Sequence, residues 1–182
     1  MSNADSLDQP QSVPARLSVQ IEHARSLRNS DPGKGIRIGL EALSAARSLV
    51  YDAPESEATR RLLGDALAAL GHCERMSSAL TDSAAHCAEA VAIYAGIGES
   101  RGPAIALTQW GIALVQLGDL TGGLAQLERS RDLSHALGDA QKESDALIDI
   151  GIVHNMLGDD ASAISLYEQA LPIYEGVGDT YH

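Results

Sequence analysis

The sequence predicts an all-α protein built from repeated pairs of helices, and both its composition and its periodicity indicate this. The chain has 182 residues, of which 45 % are hydrophobic, with no Phe and a single Trp. An aliphatic core with few aromatic or β-branched runs favours closely packed helices. Glycines also recur at a spacing of 40 residues, at Gly71, Gly111 and Gly151. A fixed period of this length is typical of a repeat architecture.

The charge balance excludes several classes of partner. Lys plus Arg number 13 and Asp plus Glu 25, a formal net charge of −12, so we expect neither nucleic acid nor an anionic membrane surface to be the partner. An acidic surface instead favours basic partners. The polar N-terminus, the lack of a long apolar stretch and only two cysteines, Cys73 and Cys87, predict a reduced, cytoplasmic protein.

The repeat extends well beyond the three glycines. Other positions recur at the same spacing: Leu70, Trp110 and Ile150; Ile93, Leu133 and Ile173; Ile97, Leu137 and Val177; Gly98, Gly138 and Gly178; Gly118-Asp119 and Gly158-Asp159. Within each unit the apolar residues follow a helical spacing on both sides of a Gly-Asp turn. Each unit is therefore predicted to be a helical hairpin.

The elements follow in order from these signals. Ser30-Asp31-Pro32 is a helix start that marks an earlier, weaker unit, with His23 at its glycine position and about eight extra residues before unit two. Residues 1–14 are expected to be a disordered tail before a repeat domain of residues 15–182. Its units are 15–50, 55–98, 101–138 and 140–178, and its helices are 15–29, 33–50, 55–76, 80–97, 101–117, 120–137, 140–157 and 160–177.

The pattern resembles the tetratricopeptide repeat (TPR). The first helix of the fourth unit carries apolar residues before its glycine, in Leu147-x-x-Ile150-Gly151, and the second helix reads Ala163-x-x-x-Tyr167-x-x-Ala170. The resemblance implies a right-handed superhelical solenoid of four hairpins and eight helices. A 40-residue unit is similar to the variant found at the N-terminus of bacterial signalling proteins, such as diguanylate cyclases and histidine kinases.

The resemblance also implies a concave groove lined by the first helix of each hairpin. By register, the groove-facing residues are Asp65, Ala68, His72, Arg75 and Met76 in unit two, Ile105, Thr108, Ile112, Val115 and Gln116 in unit three, and Asp145, Ile148, Ile152, Asn155 and Met156 in unit four. Their chemistry predicts a polar rim at unit two. Ile112, Val115, Ile148 and Ile152 are expected to form an apolar floor that takes a protein or peptide partner, or a further helix of the same polypeptide.

Three patterns with a chemical interpretation are judged structural. His72-Cys73 and His86-Cys87 have zinc-ligand residue types, but adjacent residues on a helix point about 100° apart. Gly33-Lys34-Gly35 matches no phosphate-binding loop. Asp65, His72 and Asp145 lack a nucleophile or a metal cluster. We therefore expect no catalytic residue, no metal and no cofactor.

The predicted function is protein–protein interaction without catalysis, as the regulatory or sensory module of a bacterial signalling protein that acts by partner binding or dimerisation. The alternative is a stand-alone adaptor or chaperone-like protein that binds an extended peptide in the groove. The chain is also expected to be cut off before a further helix or an output domain, because repeat arrays normally end in a capping helix with a polar outer face. An open end of this kind also favours a homodimer.

Overall fold

The computed structural model describes residues 12–99 and 102–179, with side chains as far as residue 176. These residues form eight helices and no strand. The helices are α1 (Val13–Leu27), α2 (Pro32–Asp52), α3 (Glu57–Met76), α4 (Leu80–Gly96), α5 (Gly102–Gln116), α6 (Leu120–Leu137), α7 (Ala140–Met156) and α8 (Asp160–Asp179). Every predicted helix is present, with bounds within two residues of those expected. Residues 1–11 of the expected tail lie outside the described residues.

The helices form two layers. Each odd-numbered helix packs against the even-numbered helix on either side of it in the chain. The odd-numbered helices also contact one another in succession, from α1 to α3, α5 and α7, whereas the even-numbered helices of the described chain make no such contacts among themselves. Helices that touch along one side and diverge along the other form a curved array. The odd-numbered helices, called the inner helices below, therefore line its concave side.

The recurring glycines are the points where the two helices of a hairpin cross. Gly71 lies against Cys87, Gly111 against Leu127 and Gly151 against Tyr167, so each crossing joins residues 16 apart. A side chain at these glycines would collide with its partner, since a methyl group on Gly71 would come within 2.5 Å of the Cys87 Sγ. The 40-residue period in sequence is thus the period of the helix crossings.

Unit one repeats this crossing in a shifted register. His23 is exposed, whereas Ala24 is fully buried and its carbonyl lies against Gly35 of α2. The Gly111 carbonyl lies against Gly123 in the same way. Ala24, and not His23, is therefore the structural equivalent of the crossing glycine.

The core has two parts. The larger cluster runs through α1 to α5 and includes Leu17, Leu67 and Tyr94, while a smaller one joins Leu127 of α6 to Ile150 and Val153 of α7. Tyr94 is the largest fully buried side chain and packs against Gly64 and Gly102. Trp110, the residue before the crossing glycine Gly111, is half-buried at the edge of the larger cluster.

Candidate functional site

A cavity of about 470 Å³ opens on the concave side. All four inner helices contribute to it, together with Tyr94 of α4. Its polar and charged lining residues are Arg25, Arg28, Arg61, Asp65, His72, Tyr94, Thr108, Gln109, Lys142 and Asp145, and its apolar lining consists of Ala68, Ala69, Gly102 and Ile105. A cavity of this size, enclosed by several helices and lined by both charged and apolar groups, suits part of a peptide or a small molecule.

The structure brings together six of the residues that the register placed on the groove. All six line this cavity, although they come from three different helices: Asp65, Ala68, His72, Ile105, Thr108 and Asp145. Arg75 lies one turn beyond His72 and is half-buried. Its Nε donates a hydrogen bond of 2.6 Å to the Oε1 of Gln109, which links the end of α3 to α5.

The other predicted groove residues lie elsewhere. Ile112 and Val115 are half-buried and pack onto the smaller core cluster, so they help to join α5 to α6 and α7. Ile148 is half-buried, and the five remaining residues are exposed outside the cavity: Met76, Gln116, Ile152, Asn155 and Met156. The apolar part of the cavity therefore comes from small residues of α3 and from Ile105, and not from the expected isoleucine and valine floor.

Asp65 is the centre of a polar network at one end of the cavity. The Tyr94 hydroxyl donates a hydrogen bond of 2.9 Å to its Oδ1, and Arg25 Nη2 lies 3.2 Å from the same atom. Burial and the nearby Asp65 carboxylate raise the pKa of Tyr94 well above its ordinary value, so the phenol stays a donor at any physiological pH. The network connects α1, α3 and α4 and fixes the side chains of this end.

His72 lies in a region of positive potential. Burial, followed by the positive charges of Arg75, Arg28 and Arg25, lowers the pKa of its imidazole to about 4. The ring is therefore neutral at pH 7. Three arginines therefore act on His72 in a chain whose formal net charge is −12.

A carboxylate pair lies on the α7 side of the groove. Burial, and then the neighbouring Asp145 carboxylate, raises the pKa of Asp149 to about 6, while the Arg75 charge acts in the opposite direction. Asp145 is exposed and accepts a hydrogen bond of 3.0 Å from Gln141. Asp149 is a polar neighbour of the groove that the register did not select.

Sequence reasoning missed the basic side chains of the groove: Arg25, Arg28, Arg61 and Lys142. For the two in unit one a signal was available. With Ala24 as the equivalent of Gly71, the groove positions of His72 and Arg75 become Arg25 and Arg28 in unit one. The alignment on His23 displaced this register by one residue, which on a helix turns the face by about 100°.

The two thiols lie in separate helix crossings. Cys73 contacts Gly35, and its Sγ donates to the Ala24 carbonyl at 3.4 Å, whereas Cys87 lies against Gly71. Burial raises the pKa of Cys87 to about 12, so this thiol is a packing group and not a reactive one. His86 Nδ1 lies 2.8 Å from Glu74 Oε2. Within the described ranges, no three potential metal ligands cluster together.

Gly33-Lys34-Gly35, the pattern compared with phosphate-binding loops, lies in the first turn of α2. The Asp31 carboxylate accepts a hydrogen bond of 3.0 Å from the Lys34 amide and caps α2. Gly35 faces Cys73, at a helix crossing. Across the part of the chain that the structure describes, no helix is both long and apolar enough to cross a membrane.

Comparison with known families and structures agrees with this architecture. Residues 102–176 match the family model of the tetratricopeptide repeat. The fold and the concave site together define the class of the protein as a TPR-like helical solenoid. A search of curated proteins finds no match to the chain.

Several solved structures share the fold at low sequence identity. Aspartyl phosphate phosphatase F from Bacillus subtilis superposes with a TM-score of 0.78 at 12 % identity, over 93 % of this chain but only 43 % of the phosphatase. A putative kinesin light chain from Podosopora anserina, with nearly identical TPR-like repeats, gives 0.72 at 15 % identity, over 92 % and 78 % of the two chains. MamA gives 0.56 at 15 % identity, over 94 % and 99 %. At these identities the likeness concerns the fold alone.

Proposed function

We propose that the chain is a non-catalytic interaction module that binds a protein or peptide partner in its concave groove. The observation that supports this most directly is the cavity of about 470 Å³ to which all four inner helices contribute. Its floor is made of small side chains, Ala68 and Ala69, which leave room for a partner's side chains. Charged groups surround this floor and can select among partners.

Selection of binders from a random 12-residue peptide library displayed on phage tests this proposal. Ile105 is 42 % exposed and lines the cavity, so Ile105→Trp is expected to fill its mouth and to abolish binding of the selected peptides. Leu40→Trp is the matched control, because Leu40 is 50 % exposed on α2, in the outer layer. Selected peptides that bind Ile105→Trp as well as they bind the unmodified chain would contradict the groove as the binding site.

For the biological setting we propose the regulatory or sensory N-terminal domain of a cytoplasmic bacterial signalling protein, of the diguanylate cyclase or kinase type. The 40-residue unit and its Gly-Asp turns support this setting. The fold similarity to the Bacillus subtilis phosphatase, of which this chain spans 43 %, indicates that such an array occurs as part of a longer bacterial protein. A stand-alone adaptor is the alternative setting for the same groove.

Dimerisation is the second proposed mode of action, and an apolar stripe on α8 favours it. Ile164, Leu171 and Tyr174 lie on one face of α8 and are 56 %, 57 % and 55 % exposed. Two of their equivalents 80 residues earlier, Val91 and Tyr94, are buried. Tyr94, the equivalent of Tyr174, is 1 % exposed beneath Gly102 of α5. The α8 stripe therefore continues the type of interface that joins successive hairpins, and we propose that a second copy of the chain covers it.

Light scattering from micromolar to hundreds of micromolar tests the dimer. The unmodified chain is expected to approach twice its mass of 19.1 kDa, while Leu171→Lys with Tyr174→Lys is expected to remain a monomer, because charges at this interface would be buried without partners. Tyr51→Lys is the control, since Tyr51 is 87 % exposed on α2. A strict monomer at every concentration would contradict the dimeric form of the proposal and leave the groove as the interaction surface.

A further inference from the structure

The end of the groove at Arg28, His72 and Arg75 has two guanidinium groups that form no ion pair. Of the five basic residues in or beside the groove, Arg25 pairs with Glu22 and Asp65, Arg61 with Glu99, and Lys142 with Asp139. Arg28 instead donates a 2.8 Å hydrogen bond to the Arg25 carbonyl, and Arg75 donates to the Gln109 side chain. No ion pair to Arg28 or Arg75 is formed within the described residues, although the Asp149 charge acts on the Arg75 guanidinium.

These two guanidinium groups belong to residues at the ends of two different helices, and both lie near His72. Arg28 follows α1 and Arg75 lies in the last turn of α3, and both are half-buried. His72 lies near both of them, because Arg28 and His72 line the same cavity and Arg75 lies one turn beyond His72 on α3. A half-buried arginine is less hydrated than an exposed one, so an anion placed here would interact with it strongly.

We infer that this end of the groove binds an acidic segment of a partner protein, with a carboxylate beside His72 paired to Arg28 and Arg75. The inference rests on the proposed groove-binding function and specifies the chemistry of its partner. Charge complementarity is the argument: Arg28 and Arg75 form no ion pair within the described residues, and four of the six charged residues that line the cavity are basic, although the molecule as a whole is acidic. The expectation of a basic partner, drawn from net charge, is thereby reversed for this surface.

Small residues beside the two arginines give the segment space to approach. Ala68 lies one turn before His72 on α3 and contributes to the cavity wall, and Ala69 follows it. Thr108 of α5 faces the same cavity, but its hydroxyl is already engaged with the Ala104 carbonyl at 3.1 Å and the Ser130 hydroxyl at 2.8 Å. The recognition of an anion is therefore left to the arginines.

The composition of the peptides selected from the random library is the first test. They are expected to be enriched in Asp and Glu, and their affinity for the full chain to fall as salt is added. Enrichment of basic or uncharged peptides that Ile105→Trp no longer binds would overturn the acidic-segment inference and leave the groove-binding function intact. A library that yields no groove-dependent binder would contradict both.

Variants of the two arginines are the second test. Arg28→Ala and Arg75→Ala are each expected to weaken binding of a selected acidic peptide about tenfold, the typical effect of losing a hydrogen bond to a charged group. Arg129→Ala is the matched control, because Arg129 is an exposed arginine on α6 that hydrogen-bonds only Gln126 within the described residues, and it is expected to bind normally. Unchanged affinity in both groove variants would overturn the inference.

Two further measurements separate recognition from a structural role. Arg28→Lys and Arg75→Lys keep the charge and guard against misfolding of the alanine variants; they are expected to retain part of the affinity. In an NMR titration, the pKa of the His72 imidazole is expected to rise when the acidic peptide is bound, because a carboxylate then lies beside it. An unchanged His72 titration in the complex would place the peptide elsewhere and overturn the inference.

Discussion

At the scale of single residues, the crossing glycines show how little space separates the helices of a hairpin. A methyl group on Gly71 would lie 2.5 Å from the Cys87 Sγ and 3.2 Å from the Ser83 carbonyl oxygen. Both neighbours belong to α4, where the backbone is fixed by its own hydrogen bonds. The glycine is required by this close approach and not by its backbone angles.

Gly71→Ala is therefore expected to destabilise the protein by about 1–3 kcal/mol, since overpacking outweighs the gain in helix propensity. Gly96→Ala is the matched control, because nothing lies within 4 Å of the position that its methyl group would take, and it is expected to be neutral or stabilising by up to about 1 kcal/mol. Urea unfolding measures both. Adding Cys87→Ala to Gly71→Ala should restore part of the loss, and no rescue would mean that the cost arises elsewhere.

Asp149 is a residue whose negative charge destabilises the folded state. Burial and then Asp145 raise its pKa from 3.8 to about 6. A carboxyl whose pKa is higher in the folded state stabilises the fold when protonated, below about pH 3.8, and this contribution is lost as the pH rises through 6.

Asp149→Asn is accordingly expected to raise the free energy of unfolding at pH 7.5 by about 1–2 kcal/mol, and to have almost no effect at pH 4. Asp132→Asn is the control, because the Asp132 side chain is 67 % exposed, and it should change stability little at either pH. Urea denaturation at the two pH values is the measurement. An equal gain at both would assign the effect to packing instead of charge.

At the scale of whole elements, the turn inside each hairpin shows how one unit has departed from the repeat. In units three and four, Gly118 and Gly158 adopt positive φ angles of 91° and 80°, and an Asp follows each of them. In unit two the same places hold Ser78, with φ of 63°, and Ala79, which makes no side-chain cap. The turn is kept although its preferred residues are absent.

Restoring these residues is expected to stabilise unit two. Ala79 has φ −81° and ψ 62°, close to the −84° and 75° of Asp119, whose carboxylate accepts a 2.9 Å hydrogen bond from the Gly122 amide. Ala79→Asp should therefore add about 1 kcal/mol as an N-cap, and Ser78→Gly up to about 1 kcal/mol by relieving the left-handed backbone. Thermal unfolding of the single and double variants measures this; Ala79→Leu, which cannot cap, is the control and should give no gain.

Unit two also shows why the repeat pattern is weaker in some parts of the sequence than in others. Unit two lacks the Gly-Asp turn. At the positions that Ala163, Tyr167 and Ala170 hold in the second helix of unit four, it carries Ser83, Cys87 and Ala90, all of them fully buried. These positions hold small residues because side chains of the neighbouring helices occupy the space around them. The helices remain predictable from periodicity, whereas the identity of each packing residue depends on its partner.

At the scale of the whole molecule, each hairpin contacts only its neighbours along the described array. In such a quasi-one-dimensional fold, stability is approximately a sum over units and the interfaces between them. Contacts between inner helices decrease from α1–α3 to α5–α7, so the array opens toward its C-terminal side. The cavity lies where the inner helices are still close enough for side chains of four helices to meet.

The distribution of charge also belongs to this scale. The chain has 13 basic residues and 25 acidic ones, yet Arg25, Arg28, Arg61 and Lys142 all line one cavity. Net charge describes the average field around the protein. It does not describe a half-buried groove, where a few nearby charges dominate because solvent screens them less.

The sequence by itself determined the number of helices in the described chain, their bounds to within two residues, and the crossing points of units two to four, because periodicity and turn chemistry are local properties. Its register also predicted groove positions for six residues that line the cavity: Asp65, Ala68, His72, Ile105, Thr108 and Asp145. Only the tertiary structure decided that Ile112 and Val115 belong to a core cluster and that basic side chains gather in the groove. Register tells which way a side chain leaves its own helix, but the spacing of neighbouring helices decides what it meets there: Arg25 reaches Asp65 and Arg75 reaches Gln109, each on the next inner helix.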